Sequence, residues 1–267
     1  MTTMAVATTT TNPFAQQLRK WRMRRRISQL DLAIAAETSQ RYLSFLEQGR
    51  SHPGRTMVVR LAEVLQLTLR ERNGLLLAAG YAPIFPESAL DAPELEPVRL
   101  ALETILEGHI PYPAVVTRPF GMLVAANKGF ELLTEGCAPE LLEAPINVLR
   151  LALHPEGLAR RVLNLPEWGR HVTDSLRNRA GRSPSPDLDE LIAELDGYLP
   201  QADPGPNHLG FAVPLRLRCE SGELRLITTI TTFATATDIT LAELHLEAFL
   251  PADRPTCDYL RNRFGTA

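Results

Sequence analysis

Hydrophobic positions recur at helical spacing through the first eighty residues and alternate with polar ones near the end of the chain. Phe14, Leu18 and Trp21 form one apolar stripe and predict a helix over 13–26, opened by Pro13, whose missing amide donor costs nothing in a first turn. Ser28 then stands ahead of Leu30, Ala33 and Ile34, which share one helix face. Ser39 stands ahead of Leu43 and Leu46. Each serine predicts an N-cap, since its hydroxyl accepts an orphan amide of the first turn. Gly49 is placed for a left-handed stop. Two short helices joined by a tight turn at Glu37-Thr38 make a helix-turn-helix. A fourth helix is expected over 56–67, with Met57, Val58, Leu61, Val64 and Leu65 inward, and a fifth over 68–79, stopped by Gly80.

The pattern then changes. Pro83, Pro86, Pro93 and Pro97 forbid a long helix and predict an extended linker over 81–97. A helix over 98–108 follows, then strands at 114–117 and 121–125 with a turn at 118–120, and Asn127 as cap of a helix through Phe130, Leu132 and Leu133. Helices are expected at 146–153, 157–163, 167–179 and 187–199. Strands at 211–219, 224–233 and 243–250 complete the pattern, with a turn at Ser221-Gly222 and strand as the last element. In the third of these, Leu244, Leu246 and Ala248 alternate with Glu243, His245 and Glu247. Two strands, several helices and three antiparallel strands is an α+β order. The expected division is a disordered tail (1–12), a five-helix domain (13–80), the linker (81–97) and a second domain (98–267).

A length of 267 residues suits two domains, and 45% hydrophobic content permits two cores. No run of 18 apolar residues is present, so no membrane span is expected, and 1–12 lacks the form of a signal peptide. Cys137, Cys219 and Cys257 are far apart and odd in number; they predict free thiols in a cytoplasmic protein and no metal site. The net charge of -3 hides an asymmetry. Residues 1–80 carry 12 Lys and Arg against 5 Asp and Glu, and the remainder 16 against 26. A basic module joined to an acidic one is what a nucleic-acid reader with a separate second domain requires.

Within the basic module, Ser39, Gln40, Arg41 and Ser44 share the helix face opposite Leu43 and Leu46. Gln and Arg at the start of such a helix form bidentate bonds to adenine and guanine edges in the major groove. Arg50 and Arg55, in a basic loop with His52, are placed to clamp the phosphate backbone.

The stretch resembles the XRE family, the Cro and phage-repressor type. It does so through Leu18-Arg19, Arg22, Ser28-Gln29-Leu30, Leu32-Ala33, Ser39, Tyr42-Leu43-Ser44, Leu46-Glu47, Gly49-Arg50, Pro53, Leu61-Ala62 and Leu65. That resemblance implies a five-helix, lambda-repressor-like domain that binds double-stranded operator DNA as a homodimer. It also implies that Gln29 holds a phosphate, that Gln40, Arg41 and Ser44 face bases, and that Arg22 pairs with Glu47.

Residues 95–260 are similar to a PAS-like fold. More closely, they resemble the second domain of the MmyB/MltR-like regulators, through Pro111-Tyr112-Pro113-Ala114, Ala125-Ala126-Asn127, Leu151-Ala152-Leu153-His154-Pro155-Glu156-Gly157 and Asn164-Leu165-Pro166-Glu167-Trp168. This resemblance implies an antiparallel sheet with helical cover, a small apolar or amphiphilic ligand of the fatty-acid kind, and no enzymatic activity. The candidate pocket wall is Val116, Leu123, Phe130, Leu149, Leu153, Trp168, Leu226, Thr228, Ile230 and Phe233, with His171 or Arg150 at a polar head group. Any one of these residues taken singly fits a packed core better, and only as a set do they outline a pocket; a second domain that only dimerises is the competing reading. No nucleophile elbow, phosphate-binding loop, dinucleotide fingerprint or metal-binding helix motif is present, so neither catalysis nor a cofactor is expected. His154 suits a helix-end cap, and His208 is the remaining histidine in the region weighed for catalysis.

Overall fold

The computed structural model describes residues 12–200, 212–220, 222–233 and 235–265. They fall into two units: residues up to Glu87 together with 237–239, and residues from Ser88 onward apart from that short piece. Residues 1–11 of the expected tail 1–12, together with His208, Phe211 and Ser221, lie outside the described residues, while Asn12 belongs to α1 as its cap.

The first unit is five helices: α1 (Pro13–Arg24), α2 (Gln29–Ala35), α3 (Gln40–Glu47), α4 (Arg55–Val64) and α5 (Leu69–Ala78). Local chemistry sets their starts. Asn12 caps α1, Ser28 accepts from Asp31 N, Ser39 accepts from Tyr42 N, and Thr68 with Glu71 forms a reciprocal capping box on α5. Glu37 turns the chain between α2 and α3 at φ 51°, and Gly49 ends α3 at φ 71°. Phe14, Leu18, Leu32, Leu43, Leu46, Leu61, Leu65, Leu75 and Leu76 make the core. Two expectations fail here. Of the shared apolar face expected on α2, Ala33 is buried, but Leu30 and Ile34 are 49% and 66% exposed; Leu32 and Ala36 are buried with Ala33. A seven-residue helix is under two turns long, so spacing alone does not choose its face.

The expected linker does not run free of both units. Asn73 of α5 accepts from Ile84 N and Phe85 N and donates to Phe85 O, and Tyr81 donates its hydroxyl to Pro53 O. These bonds tie 81–85 to the first unit. Beyond it, Arg99 donates to Leu90 O and Ala92 O, tying 90–92 to the second unit.

The second unit is α+β. It contains α6 (Glu96–Gly108), β1 (Ala114–Arg118), β2 (Met122–Ala126), α7 (Glu131–Thr134), α8 (Val148–Leu153), α9 (Leu165–Arg182), α10 (Pro186–Tyr198), β3 (Leu215–Cys219), β4 (Gly222–Thr232), a single turn α11 (Ile239–Ala242), β5 (His245–Pro251) and α12 (Arg254–Phe264). The strands form one antiparallel sheet in the order β2-β1-β5-β4-β3. Leu102 and Leu106 of α6 cover one face, against Ala114, Val116, Leu244, Leu246 and Ala248. The other face carries the larger core, with Val115, Leu153, Trp168, Leu191, Leu195, Leu217 and Leu226.

Strand is not the last element. Asp253 caps α12 through Thr256 N, a proline follows in the first turn, and Leu260 and Phe264 are buried one turn apart. Asn127 also departs from its expected part. It stands at the N-cap position of the helical turn Lys128–Phe130 ahead of α7, but its side chain makes no cap bond; it accepts from Ala114 N and donates to Leu106 O and Tyr112 O, so it pins α6 to the start of β1.

Candidate functional site

The first site is the outer surface of α3. Its inner stripe, Leu43 and Leu46, is fully buried, which turns Gln40 and Arg41 outward. The Arg41 guanidinium lies over the Phe45 ring, 5.4 Å from its centre. Ser39 is occupied as the cap, and Ser44 Oγ accepts from Gln48 Nε2 at 2.9 Å. Arg50 and Arg55 are both exposed.

Behind that surface α1 and α3 are locked together. Arg22 Nε donates to Glu47 Oε1 at 2.6 Å, and Nη2 donates to Oε2 at 2.9 Å. Arg22 Nη1 also donates to Ile27 O. The Glu47 carboxylate pushes the Arg22 guanidinium further toward its charged form. Gln29 is tied inward, donating to Glu47 Oε2 at 2.7 Å. Arg25, at the C-cap of α1, donates to Leu65 O and Gln66 O, so it serves the fold.

The second site is a cavity of about 340 Å³ inside the second unit. The inner face of β1, β5 and β4 forms one wall, with Val115, Thr117, Glu247, Phe249, Thr228 and Ile230. The long helix α9 forms another. Trp168, His171, Val172, Ser175, Leu176 and Arg179 recur at three- and four-residue steps, so one helix stripe faces the space. Leu149, Leu151 and Ala152 of α8 close a side. Asn147 fixes α8 there, accepting from Leu149 N and Arg150 N while donating to Phe120 O. Gly121 completes the turn at φ 78°, and a Cβ on it would lie 2.6 Å from Leu149 Cγ.

Of the residues read as pocket wall, the fold brings Phe130, Leu149, Trp168, His171, Thr228 and Ile230 to this cavity. Leu153 and Leu226 are fully buried in the adjoining core, and Leu123 packs against it. Val116 and Phe233 lie with the α6 cluster, on the opposite face of the sheet. Val116 follows Val115 in β1, and successive strand residues point to opposite faces. Arg150 is not at the cavity; its guanidinium forms a bidentate pair with Glu194 at 2.7 and 2.8 Å. His154 accepts from Glu156 N at the end of α8 and packs edge-on against Tyr198. Arg118, Arg179, Ser175 and Glu247 line the cavity and were not singled out in the sequence. Among the described residues, no cluster of acidic, histidine and cysteine side chains is built to hold a metal ion. No described helix is long and apolar enough to cross a membrane.

A family model described as the MmyB-like transcription regulator ligand binding domain matches residues 98–262. The chain belongs to the MmyB-like transcription regulators. A helix-turn-helix domain model matches residues 13–75, so the two units of this MmyB-like regulator are a helix-turn-helix domain and a family ligand-binding domain. Among solved structures, the chain is similar to the clp gene regulator ClgR from Corynebacterium glutamicum, at 22% identity and a TM-score of 0.23, over 38% of this chain and 93% of that one. No curated protein matches.

Proposed function

We propose that this regulator binds operator DNA through α3 and that its second, PAS-like unit senses a small amphiphile with an acyl chain of the fatty-acid type. The observation that carries the reading is the cavity: a space of about 340 Å³ between sheet and helices, lined chiefly by Val, Leu, Ile, Phe and Trp side chains with a few polar groups among them. A volume in the range of ~300–1,000 Å³, with an apolar wall and few polar anchors, suits a small-molecule site. The alternative, a second unit that only dimerises, gives no reason for such a space in an interior that otherwise packs densely.

In this reading Gln40 and Arg41 read bases, with Ser39 and Ser44 beside them. Gln29 keeps one amide hydrogen for a phosphate while the other holds Glu47, and Arg50 and Arg55 grip the backbone. The working form is a cytoplasmic homodimer on a pseudo-palindromic site, with half-sites about one helical turn apart or a multiple of that. The ligand acts by its difference in affinity for two arrangements of that dimer, not by occupancy alone. The cavity is a binding site and not a catalytic one.

The test is an operator-binding titration of the purified protein with and without a panel of medium-chain amphiphiles, preceded by native mass spectrometry for a co-purifying molecule. Altered operator affinity supports sensing. Unaltered affinity with every member, together with a dimer in sedimentation, hands the second unit a purely dimerising part.

A further inference from the structure

The alternation in β5 reads as a polar outer face opposite an apolar inner one, but the fold covers both faces. Leu246 and Ala248 pack against the α6 side. Glu247 is paired in the ladder with Val115 and Ile230, and lines the cavity together with Phe249. An apolar side chain would suit that position. Among the described residues, no group hydrogen-bonds or ion-pairs with the Glu247 carboxyl. No side-chain oxygen or nitrogen sealed from solvent lacks a partner there either, so this carboxyl opens onto the cavity. Burial pushes Glu247 up from the usual carboxylate range, and the charge of Arg179 opposes that. A carboxyl half-shielded from water in a largely apolar wall, with no protein partner of its own among the described residues, is placed to meet whatever enters the cavity.

We propose that Glu247 determines the specificity of this cavity, and that the ligand presents a neutral hydroxyl or amide to it in place of an ionised carboxylate. The inference rests on the reading of the cavity as an amphiphile site and names the head group. A hydroxyl or primary amide both donates and accepts, so it bonds Glu247 whether or not the carboxyl holds a proton. An ionised carboxylate only accepts. Beside an ionised Glu247 it meets a like charge, which disfavours its binding.

The other charged groups do not remove that conflict. Arg179, on α9, is the cation that acts on Glu247, and its charge is offset by the acid it faces. His171 on α9 and Arg118 on β1 line the cavity but are exposed, where water screens them. His245, two residues along β5, is pushed down by burial and by Arg179, which favours its neutral form. Thr228 and Ile230 of β4 bring no charge.

Calorimetric titration of the full chain with decan-1-ol, decanamide and decanoate tests the proposal. At pH 7.5 the alcohol and the amide should bind at least tenfold more tightly than decanoate, and decanoate should gain as the pH falls. Glu247→Gln keeps a neutral donor and acceptor at the site. It should raise decanoate affinity about tenfold while moving the alcohol by no more than about threefold; tenfold is ~1.4 kcal/mol. Arg179→Gln, which leaves the acid in place, should widen the preference for the alcohol over decanoate. Decanoate as the tightest probe in both the native protein and Glu247→Gln overturns the proposal and leaves the amphiphile reading standing. Failure of all three probes to bind the folded native protein overturns both. If Glu247→Gln does not fold, an unchanged preference in Arg179→Gln overturns the proposal.

Discussion

The carboxylate of Glu47 is held at both oxygens by Arg22, at 2.6 and 2.9 Å, and it is the point where α1, α2 and α3 meet. Its side chain is 3% exposed and that of Arg22 is 14%. Removing one partner strands the other's charge away from water. Arg22→Ala is therefore expected to cost about 3 kcal/mol, the lower end of what breaking a buried pair costs. The double substitution Arg22→Met with Glu47→Leu should cost far less, because no lone charge remains. Urea denaturation of the native, single and double variants measures both. Equal losses in single and double variants would show that packing, not the stranded charge, sets the cost.

The same pair frames the DNA reading, since it sets where α3 stands against α1. Arg41→Ala should cost ~1–3 kcal/mol on the best operator and relax preference at one base position. Arg55→Ala should weaken all sequences alike and flatten the salt dependence by about one unit of slope. Binding measured across a salt series, on operator and on unrelated duplex, separates the two. An Arg41→Ala protein with undiminished operator affinity would place base recognition elsewhere.

Much of this architecture is legible in the sequence where the determinants are local. Ser28, Ser39, Thr68 and Gly49 act within a turn of where they stand, so the helix ends of the first unit follow from them. The failures have a shared cause. Asn127 bonds partners 13 to 21 residues away, which no local pattern reveals. Glu247 and His245 alternate with apolar neighbours as an exposed edge would, and only the second layer of helices turns that face inward. Composition alone puts Val116 and Phe233 on the cavity side, but alternation along β1 sends Val116 to α6, and Phe233, just past the end of β4, packs in the same cluster. The cap and stripe of α12 were present as Asp253, Leu260 and Phe264, yet a run of strands ahead of it hid a short terminal helix.

Glu223 carries the clearest pH dependence. It accepts from Arg216 at 2.8 Å on both oxygens and from Arg225 at 2.7 Å, and these bonds lower its carboxyl to about 2. A depressed carboxyl stabilises the fold above its unfolded value and loses that contribution as pH falls toward the folded one. Glu223→Gln should thus destabilise at neutral pH, and the difference from the native protein should shrink below about pH 4.5 and vanish near pH 2. The site is partly exposed, so the neutral-pH loss should stay below ~1 kcal/mol and weaken in salt. Stability curves at stepped pH read the effect; a loss constant down to pH 2 would assign it to packing.

The cavity and the core beside it answer differently to substitution, and adjacent residues of α8 separate them. Leu153 is fully buried, and Ala152 lines the space. Leu153→Ala removes packed volume and should cost ~2–5 kcal/mol. Ala152→Phe adds volume where atoms are missing, so it escapes the cost of overpacking a filled interior, ~1–3 kcal/mol, and fills the space a chain would occupy. The expected pair of outcomes is a destabilised Leu153→Ala protein, and an Ala152→Phe protein of near-native stability that no longer takes up a medium-chain alcohol. Thermal unfolding gives the first measurement and calorimetric titration the second. Should Ala152→Phe unfold the second unit as Leu153→Ala does, the space is too tightly packed to admit a ligand, and the second unit is left with a structural part alone.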